Sequence, residues 1–198
     1  MPFQENSTVS TLSLCGNALK VEAMAALVTG LQINTSITKL DLSQNPIGSK
    51  GIKTLAPILS VNKSTNRTLQ QLILDGCQIT DSGGIALTEA LAHGSGNRSL
   101  QVLRMSRNRL ADSTGKLMAD MLMTNHTLQE LDLSWNSLQV ASASALAEML
   151  ETNECLSNLN LGWNGVGTEG SVKLCASLIN NSSLTSLDLA NTRATQAR

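Results

Sequence analysis

Charged side chains are scarce in this chain of 198 residues. Lysine, arginine, aspartate and glutamate together make up 15% of the sequence, and their formal charges sum to −1 at pH 7. Such a balance provides neither a broad basic field for nucleic acid nor an acidic tail, so nucleic acid is not an expected partner. Specific contacts, and not bulk charge, must therefore select whatever this protein binds.

Cysteine and histidine are too few and too dispersed for a metal site. The four cysteines stand at positions 15, 77, 155 and 175 without a C-x-x-C pair, and the two histidines, His93 and His126, are far apart. We therefore predict a reducing compartment, with neither a disulfide framework nor a zinc site. No nucleophile has the spacing to lie beside a base and no glycine-rich phosphate loop is present, so we predict no enzymatic activity and no cofactor.

Long apolar runs are also missing. No uninterrupted stretch approaches the roughly 20 apolar residues that span a bilayer. Residues 1–8 carry no lysine or arginine ahead of an apolar run, as a signal peptide would. We expect a soluble cytoplasmic protein that is not secreted and has no membrane partner.

The chain does contain a repeat that extends over almost its whole length. The frame L-x-x-L-x-L-x-x-N-x-L, with conservative swaps, begins at Val9, Ile37, Leu69, Leu100, Leu128, Leu156 and Leu184. Successive starts lie 28 to 32 residues apart, which is typical of leucine-rich repeats. Because each unit of such an array packs mainly on its neighbours, residues 9–192 are predicted to form one solenoid domain of about seven units, with tails at 1–8 and 193–198.

Each unit combines two hydrophobic periodicities. The core L-x-L, as in Leu131-Asp132-Leu133, alternates as a strand does, whereas residues 141–150 (ASASALAEML) have helical spacing. We predict seven parallel strands, centred near residues 12, 40, 72, 103, 131, 159 and 187, with six intervening helices. Strands pack closer together than helices, so the stack must curve. The predicted fold class is an α/β leucine-rich repeat horseshoe with its strands on the concave face.

Asparagine recurs at two places in the units. At the ninth place of the frame it stands at residues 17, 45, 108, 136 and 164, where its amide is predicted to pair with backbone groups of the turn. Cys77 takes this place in the third unit and is predicted to be interior. Other asparagines begin N-x-S/T sequences at helix ends, as Asn125 does, and there we expect a left-handed backbone.

The repeat resembles a known subclass of leucine-rich repeat proteins. Residues 128–136 (LQELDLSWN) and 86–91 (ALTEAL) are similar to the ribonuclease-inhibitor-like subclass, which also forms the C-terminal arrays of NOD-like receptors and the Ran GTPase-activating protein. This resemblance covers residues 9–192. It implies a horseshoe that meets a protein partner on its concave face.

Charged residues cluster at the middle of the predicted concave face. The candidate partner-binding residues there are Asp75, Arg104, Arg107, Glu130 and Asp132. Arg104 and Asp132 hold the same place in adjacent strands, so they are close enough to pair. Two interpretations remain open: an exposed ion pair of small energetic weight, or a charge stripe that faces a partner.

Trp135 and Trp163 are the only tryptophans, and both occupy the eighth place of their units. Tryptophan is enriched among residues that dominate binding energy, because it buries a large area at little entropic cost. These two residues are therefore candidate partner anchors. The alternative is that they only stack on each other.

These features favour a non-catalytic protein–protein interaction scaffold or recognition domain. It would be a fragment of a longer NOD-like receptor-like regulatory protein, or of a ciliary or cytoskeletal protein. The alternative is a GTPase-activating protein resembling the Ran activator. An inhibitor of a secreted ribonuclease fits less well, because the ribonuclease inhibitor is rich in cysteine and strongly acidic.

The seventh unit has no room for its helix, and its ninth place holds Thr192. The chain is accordingly expected to be part of a longer array. The alternative is a short protein whose uncapped ends are covered by a partner or by self-association.

Overall fold

The computed structural model describes residues 6–60, 66–92 and 98–193, and it confirms the predicted alternation of strands and helices. The strands are β1 (Thr11–Ser13), β2 (Lys39–Asp41), β3 (Gln71–Ile73), β4 (Val102–Arg104), β5 (Glu130–Asp132), β6 (Asn158–Asn160) and β7 (Ser186–Asp188). The α-helices are α1 (Val21–Ile33), α2 (Gly48–Leu55), α3 (Asp81–Leu91), α4 (Asp112–Leu122), α5 (Val140–Leu150) and α6 (Gly167–Ser177). A 3₁₀ turn, Ala56–Leu59, follows α2.

All seven strands form one open parallel sheet in sequence order, as predicted. The central leucines of the L-x-L cores are in register, so that Leu131 lies between Leu103 and Leu159. Each of these three side chains is at most 1% exposed. The core is therefore a stack of similar leucine layers between the sheet and the helices, and the molecule is a leucine-rich repeat horseshoe. Most of the predicted tails, residues 1–5 and 194–198, lies outside the described residues.

Buried and half-buried asparagines join neighbouring units at the turns that follow the strands, as predicted. The Asn136 amide donates to the carbonyls of Met105, Leu133 and Ser134 at 3.0–3.1 Å. Its Oδ1 atom accepts the N–H of Leu110 at 3.0 Å. One side chain thus satisfies backbone groups of two units, which keeps the turns at the same height along the stack.

Replacing Asn136 by alanine is expected to lower the free energy of unfolding by about 1–3 kcal/mol, because it leaves buried backbone groups without partners. Urea denaturation followed by circular dichroism measures this loss. Asn17→Ala is the matched control, since Asn17 holds the same place in the first unit but is exposed, and among the described residues its side chain donates to Cys15 alone. Equal losses for the two variants would refute the proposed role of the half-buried Asn136 amide.

The residue at the ninth place also determines the turn of the preceding unit. Cys77 and Thr192 stand where other units have asparagine. In each case the turn of the preceding unit contains a glycine with left-handed backbone, Gly48 (φ +62°) or Gly167 (φ +66°). The N–H groups of these glycines donate to the carbonyls of Cys77 and Thr192, both at 2.9 Å. Glycine fits there because it adopts positive φ without a Cβ clash. In the other turns the asparagine side chain accepts a backbone N–H, as Asn136 does.

Cys77 is fully buried, as predicted, and its thiol donates to the carbonyl of Leu42 at 3.2 Å. Burial raises the pKa of this thiol to about 12, so it stays protonated at neutral pH. Alkylation of the native protein should therefore be much slower at Cys77 than at the exposed Cys15 and Cys175. Mass spectrometry of iodoacetamide-treated protein over time tests this order.

After denaturation without reductant, all four cysteines should react, because all four are free thiols in the structure. Detection of an intramolecular disulfide in the native protein would contradict the reducing compartment. Cys77→Ser should destabilise the fold less than Asn136→Ala, since a hydroxyl can still donate to Leu42.

The prediction for the asparagines at helix ends is wrong. Asn34 has φ −71° and ψ 132°, which is extended backbone. These side chains instead bridge units: Asn181 Nδ2 donates to the carbonyls of Leu150 and Asn153, and its Oδ1 accepts the N–H of Ser183 and Leu184. Asn153, at the same place of the preceding unit, makes the same contacts with Leu122, Asn125, Cys155 and Leu156. The chain therefore has a second asparagine ladder, which lies where each helix connects to the next strand.

Two helix starts, those of α3 and α4, are each tied to the start of the next helix by a carboxylate. Asp81 Oδ1 accepts the backbone N–H of Thr114 and its hydroxyl, and Asp112 does the same for Ser142. Burial opposes ionisation of Asp112, but the hydrogen bonds from Ser142 and Gln139 and the charge of Lys116 outweigh it, so its pKa is lowered.

None of the helices in the described ranges is long and apolar enough to cross a membrane.

Candidate functional site

Six of the seven predicted site residues fall into two adjoining groups. Asp75, Arg104 and Asp132 form a charge cluster on the concave face, which we call the concave charge cluster. Arg107, Trp135 and Trp163 lie on the turns that follow β4, β5 and β6, and we call this group the aromatic stack. The series of turns between the strands and the following helices is called the turn-side edge.

Arg104 is the centre of the concave charge cluster. Its Nη2 atom lies 3.3 Å from Asp75 Oδ2 and 3.8 Å from Asp132 Oδ2. The predicted pairing of Arg104 with Asp132 is therefore confirmed, although the contact with Asp75 is shorter. The carboxylate side chains are only 15% and 11% exposed, whereas that of Arg104 is 42% exposed. The cluster thus presents mainly the arginine side chain to the solvent.

Asp75 also has a structural role that follows from the presence of Arg104. In β5, Asp132 Oδ1 accepts the N–H of Ser134 two residues later, at 2.9 Å. An arginine has no acceptor, and the equivalent N–H of Ser106 in the Arg104 unit is bound by Asp75 of the neighbouring unit, at 2.8 Å. Burial raises the pKa of Asp75, although the Ser106 hydrogen bond and the Arg104 charge act in the opposite direction.

Glu130 does not join the concave charge cluster. It is half-buried at the start of β5, between Val102 and Asn158 of the adjacent strands. Within residues 6–60, 66–92 and 98–193, the ion pairs are formed by Arg104 and by Lys173. In the same ranges, no three His, Cys, Asp or Glu side chains converge as a metal-ligating group.

The eighth place of the frame has a left-handed backbone in every unit, which the sequence analysis missed. The residues in this row are Gly16, Gln44, Gly76, Arg107, Trp135, Trp163 and Asn191, with φ between +55° and +70°. A left-handed non-glycine residue costs about 1–2 kcal/mol. The N–H groups of Trp135 and Trp163 donate to Gly162 and Ala190 of the following units at 2.8 and 2.7 Å, which holds this conformation. The glycines at 16 and 76 were the available signal in the sequence.

A common backbone conformation projects the side chains of this row in parallel, and three of them stack. The Trp135 and Trp163 ring centroids are 4.1 Å apart with an interplanar angle of 12°. The guanidinium carbon of Arg107 lies 4.4 Å from the Trp135 centroid, a cation–π contact. Trp135 and Trp163 nevertheless remain 39% and 47% exposed. Stacking and an accessible aromatic surface therefore occur together.

The contact between the two indoles should appear as a coupling energy. In a double-mutant cycle with Trp135→Asn and Trp163→Asn, we expect about 0.5–1.5 kcal/mol of coupling in the free energy of unfolding. Asparagine is the replacement because it tolerates left-handed backbone and stands in the same row at position 191. A cycle between Arg107 and Trp163, which are separated by Trp135, is the control. Coupling no larger than in the control would contradict the stacked geometry.

Comparison with known proteins agrees with the repeat geometry. The sequence model of the family described as Leucine Rich repeat matches residues 34–56, 65–87, 96–119, 124–147 and 152–175. These residues make up more than half of the chain. The chain belongs to the leucine-rich repeat family. Its relatives include the ribonuclease inhibitor and proteins with NACHT, LRR and PYD domains, so its repeats are of the ribonuclease-inhibitor-like type, as predicted.

Three curated relatives illustrate the range of this similarity. NACHT, LRR and PYD domains-containing protein 14 of Mus musculus is 36% identical over 121 residues, which is 61% of this chain and 12% of that protein. The Ran GTPase-activating protein of Drosophila melanogaster is 34% identical over 114 residues, or 54% of this chain and 18% of that protein. The ribonuclease inhibitor of Sus scrofa is 37% identical over 79 residues, or 40% of this chain and 16% of that protein.

A solved structure also shares the fold. Leiomodin-1 actin-binding site 2 superposes with a TM-score of 0.61 at 19% sequence identity, over 71% of this chain and 78% of that structure. The chain matches less than a fifth of the length of each of the three curated relatives. The similarity therefore concerns the repeats and the protein-binding surfaces that such repeats form.

Proposed function

We propose that this chain is a non-catalytic protein-recognition domain that acts in the cytosol. Its partner binds the concave face and the turn-side edge between the third and sixth units. The observation that carries this proposal is the aromatic stack, in which two indoles remain 39% and 47% exposed although they contact each other. Exposed, preorganised aromatic side chains are the usual anchors of protein interfaces.

The concave charge cluster has a secondary part in this interface. Arg104 is already bonded to two largely buried carboxylates, so a partner gains little from replacing those contacts. Its exposed guanidinium still contributes to the local field that guides association. Arg104→Glu should therefore chiefly slow association and reduce its dependence on salt.

The wider protein is a regulatory receptor of the NOD-like type, or a ciliary or cytoskeletal assembly component. The similarity to proteins with NACHT, LRR and PYD domains supports the receptor. A nucleotide-binding module encoded upstream of these repeats in the same gene would favour it further.

Site-specific photo-crosslinking tests the proposed surface. A photoreactive amino acid replaces Ser137 on the turn-side edge or, as a matched control in the same unit, Glu148 on the convex helix α5; both positions are exposed. The partner is identified by mass spectrometry, purified and crosslinked again. We expect crosslinks from Ser137, their loss on adding Trp163→Asn, and none from Glu148. Crosslinks only from Glu148 would refute the proposal.

A GTPase-activating function is the second candidate, supported by the 34% identity to the Ran GTPase-activating protein over 54% of this chain. The test is GTP hydrolysis by purified Ran with and without the chain. The scaffold proposal expects no acceleration. Catalytic amounts of the chain that accelerate hydrolysis would replace the scaffold proposal with this one.

A further inference from the structure

A cavity of approximately 710 Å³ lies at the end of the aromatic stack that is remote from Arg107. Its lining includes Trp163 and Gln139 together with Leu189, Asn191 and Arg193. This volume is within the range of roughly 300–1,000 Å³ that is usual for binding sites. The lining combines an aromatic ring, amide groups and one cationic side chain.

The cavity lies where the row of eighth-place residues changes in size. Trp135 and Trp163 fill this place in two consecutive units, and the next unit has Asn191 in the same left-handed conformation (φ +55°). An asparagine side chain is much smaller than an indole, so the row lacks a third ring. A planar group in the cavity would stack on the outer face of Trp163, as Trp163 itself stacks on Trp135.

The turns around the stack are basic. The described residues 105–111, 133–139, 161–166 and 189–193 include Arg107, Arg109 and Arg193 but no aspartate or glutamate. No described carboxylate forms an ion pair with these three arginines. Asp112, Asp132 and Asp188 lie directly outside these ranges in the sequence. Asp112 accepts hydrogen bonds from the start of the next helix, and Asp132 and Asp188 accept the N–H groups of Ser134 and Ala190. This part of the edge thus has cationic groups at both ends of an aromatic row.

We infer that the turn-side edge binds an extended acidic segment of a protein partner, and that one planar side chain of this segment enters the cavity beside Trp163. Carboxylates of the segment pair with Arg107 and Arg193, while the planar side chain stacks on the outer indole. This inference rests on the proposed protein-binding function and specifies the chemistry of the partner.

The preference of the cavity for a planar side chain is tested by fluorescence anisotropy with labelled peptides. The probe is a short acidic peptide with one central phenylalanine, compared with the same peptide carrying leucine instead. Wild-type protein should bind the phenylalanine peptide at least about fivefold more tightly, as expected for an aromatic contact of about 1 kcal/mol. Asn191→Trp, which fills the cavity with a third ring, should remove this preference. Trp163→Asn should remove it too, by deleting the stacking surface.

The requirement for carboxylates in the bound segment is tested with charge-reversal variants of the protein. Arg107→Glu and Arg193→Glu should each weaken binding of the acidic peptide at least about tenfold at low salt. Both variants should bind a lysine-substituted peptide more tightly than the acidic one. Lys50→Glu, an equal charge change at an exposed position on α2, is the matched control and should leave binding unchanged. Circular dichroism and thermal melts verify that every variant is folded.

Three results would overturn the inference. They are no binding of the acidic phenylalanine peptide, an unchanged aromatic preference in both Asn191→Trp and Trp163→Asn, and tighter binding of single-stranded oligothymidylate than of the peptide. The last result would assign the edge to nucleic acid, because arginine and aromatic rows also bind single strands. None of them affects the crosslinking from Ser137, so failure of this inference remains distinguishable from failure of the proposed function.

Discussion

Leu131→Ala is expected to lower the free energy of unfolding by about 2–5 kcal/mol, the largest effect that we predict for a single core residue. Leu131 is 0% exposed at the centre of β5, between Leu103 and Leu159 of the adjacent strands. Its truncation leaves a cavity that the stacked layers on both sides cannot close without breaking their register. Urea denaturation measures the loss.

The matched control is Leu187→Ala. Leu187 occupies the same register position in β7, opposite Leu159, but it is only half-buried in the described structure. Leu187→Ala should therefore lower the free energy of unfolding clearly less than Leu131→Ala, because less apolar surface returns to water. Hydrogen exchange should show that Leu131→Ala reduces protection mainly in the fourth to sixth units, since stability in a solenoid is a sum over neighbours. Uniform loss over all units would contradict this account.

Trp163→Asn is expected to weaken binding of the protein partner by about 2 kcal/mol or more, which is the usual effect of removing an interfacial tryptophan. The variant removes the outer indole while it keeps a residue that tolerates the left-handed backbone at this position. Isothermal titration calorimetry with the crosslinked and purified partner measures the change. Trp135→Asn should have a comparable effect, because it removes the support of the outer ring.

One further variant separates this effect from general damage, and a second tests the electrostatic role of Arg104. Glu148→Ala, at an exposed position on the convex helix α5, should not change the affinity. Arg104→Glu should slow association far more than it speeds dissociation, because its role is mainly electrostatic. Normal binding by both folded tryptophan variants, together with loss of binding in Glu148→Ala, would move the site to the convex face.

The periodicity of the sequence was sufficient for the strands and the helices. The predicted strand centres coincide with β1 to β7, and residues 141–150 lie within α5. The reason is that each L-x-L core and each helical stripe has only one side that can be buried, so the pattern determines which side faces the neighbouring layer. The burial of Cys77 followed for the same reason, because its place in the frame is buried or half-buried in every unit after the first.

The contacts of the candidate site could be predicted only in part. Pairing of Arg104 with Asp132 followed from their equal places in adjacent strands, whereas the shorter contact with Asp75 did not. Asp75 stands two places further along its unit, and only the three-dimensional arrangement brings it to Arg104 and to the N–H of Ser106. The sequence also left open whether the tryptophans stack or face solvent, and in the structure they do both.

The sequence by itself determined the fold class, the register of the leucine layers and the places of the two tryptophans, because each of these depends on a period that one unit already contains. The tertiary structure alone decided the left-handed row at the eighth place, the second asparagine ladder and the cavity beside Trp163. These features depend on contacts between residues about one unit apart in sequence, such as Trp135 with Gly162 and Asn153 with Leu122. A single unit does not contain both partners of such a contact, so its sequence pattern cannot specify the geometry that the contact imposes.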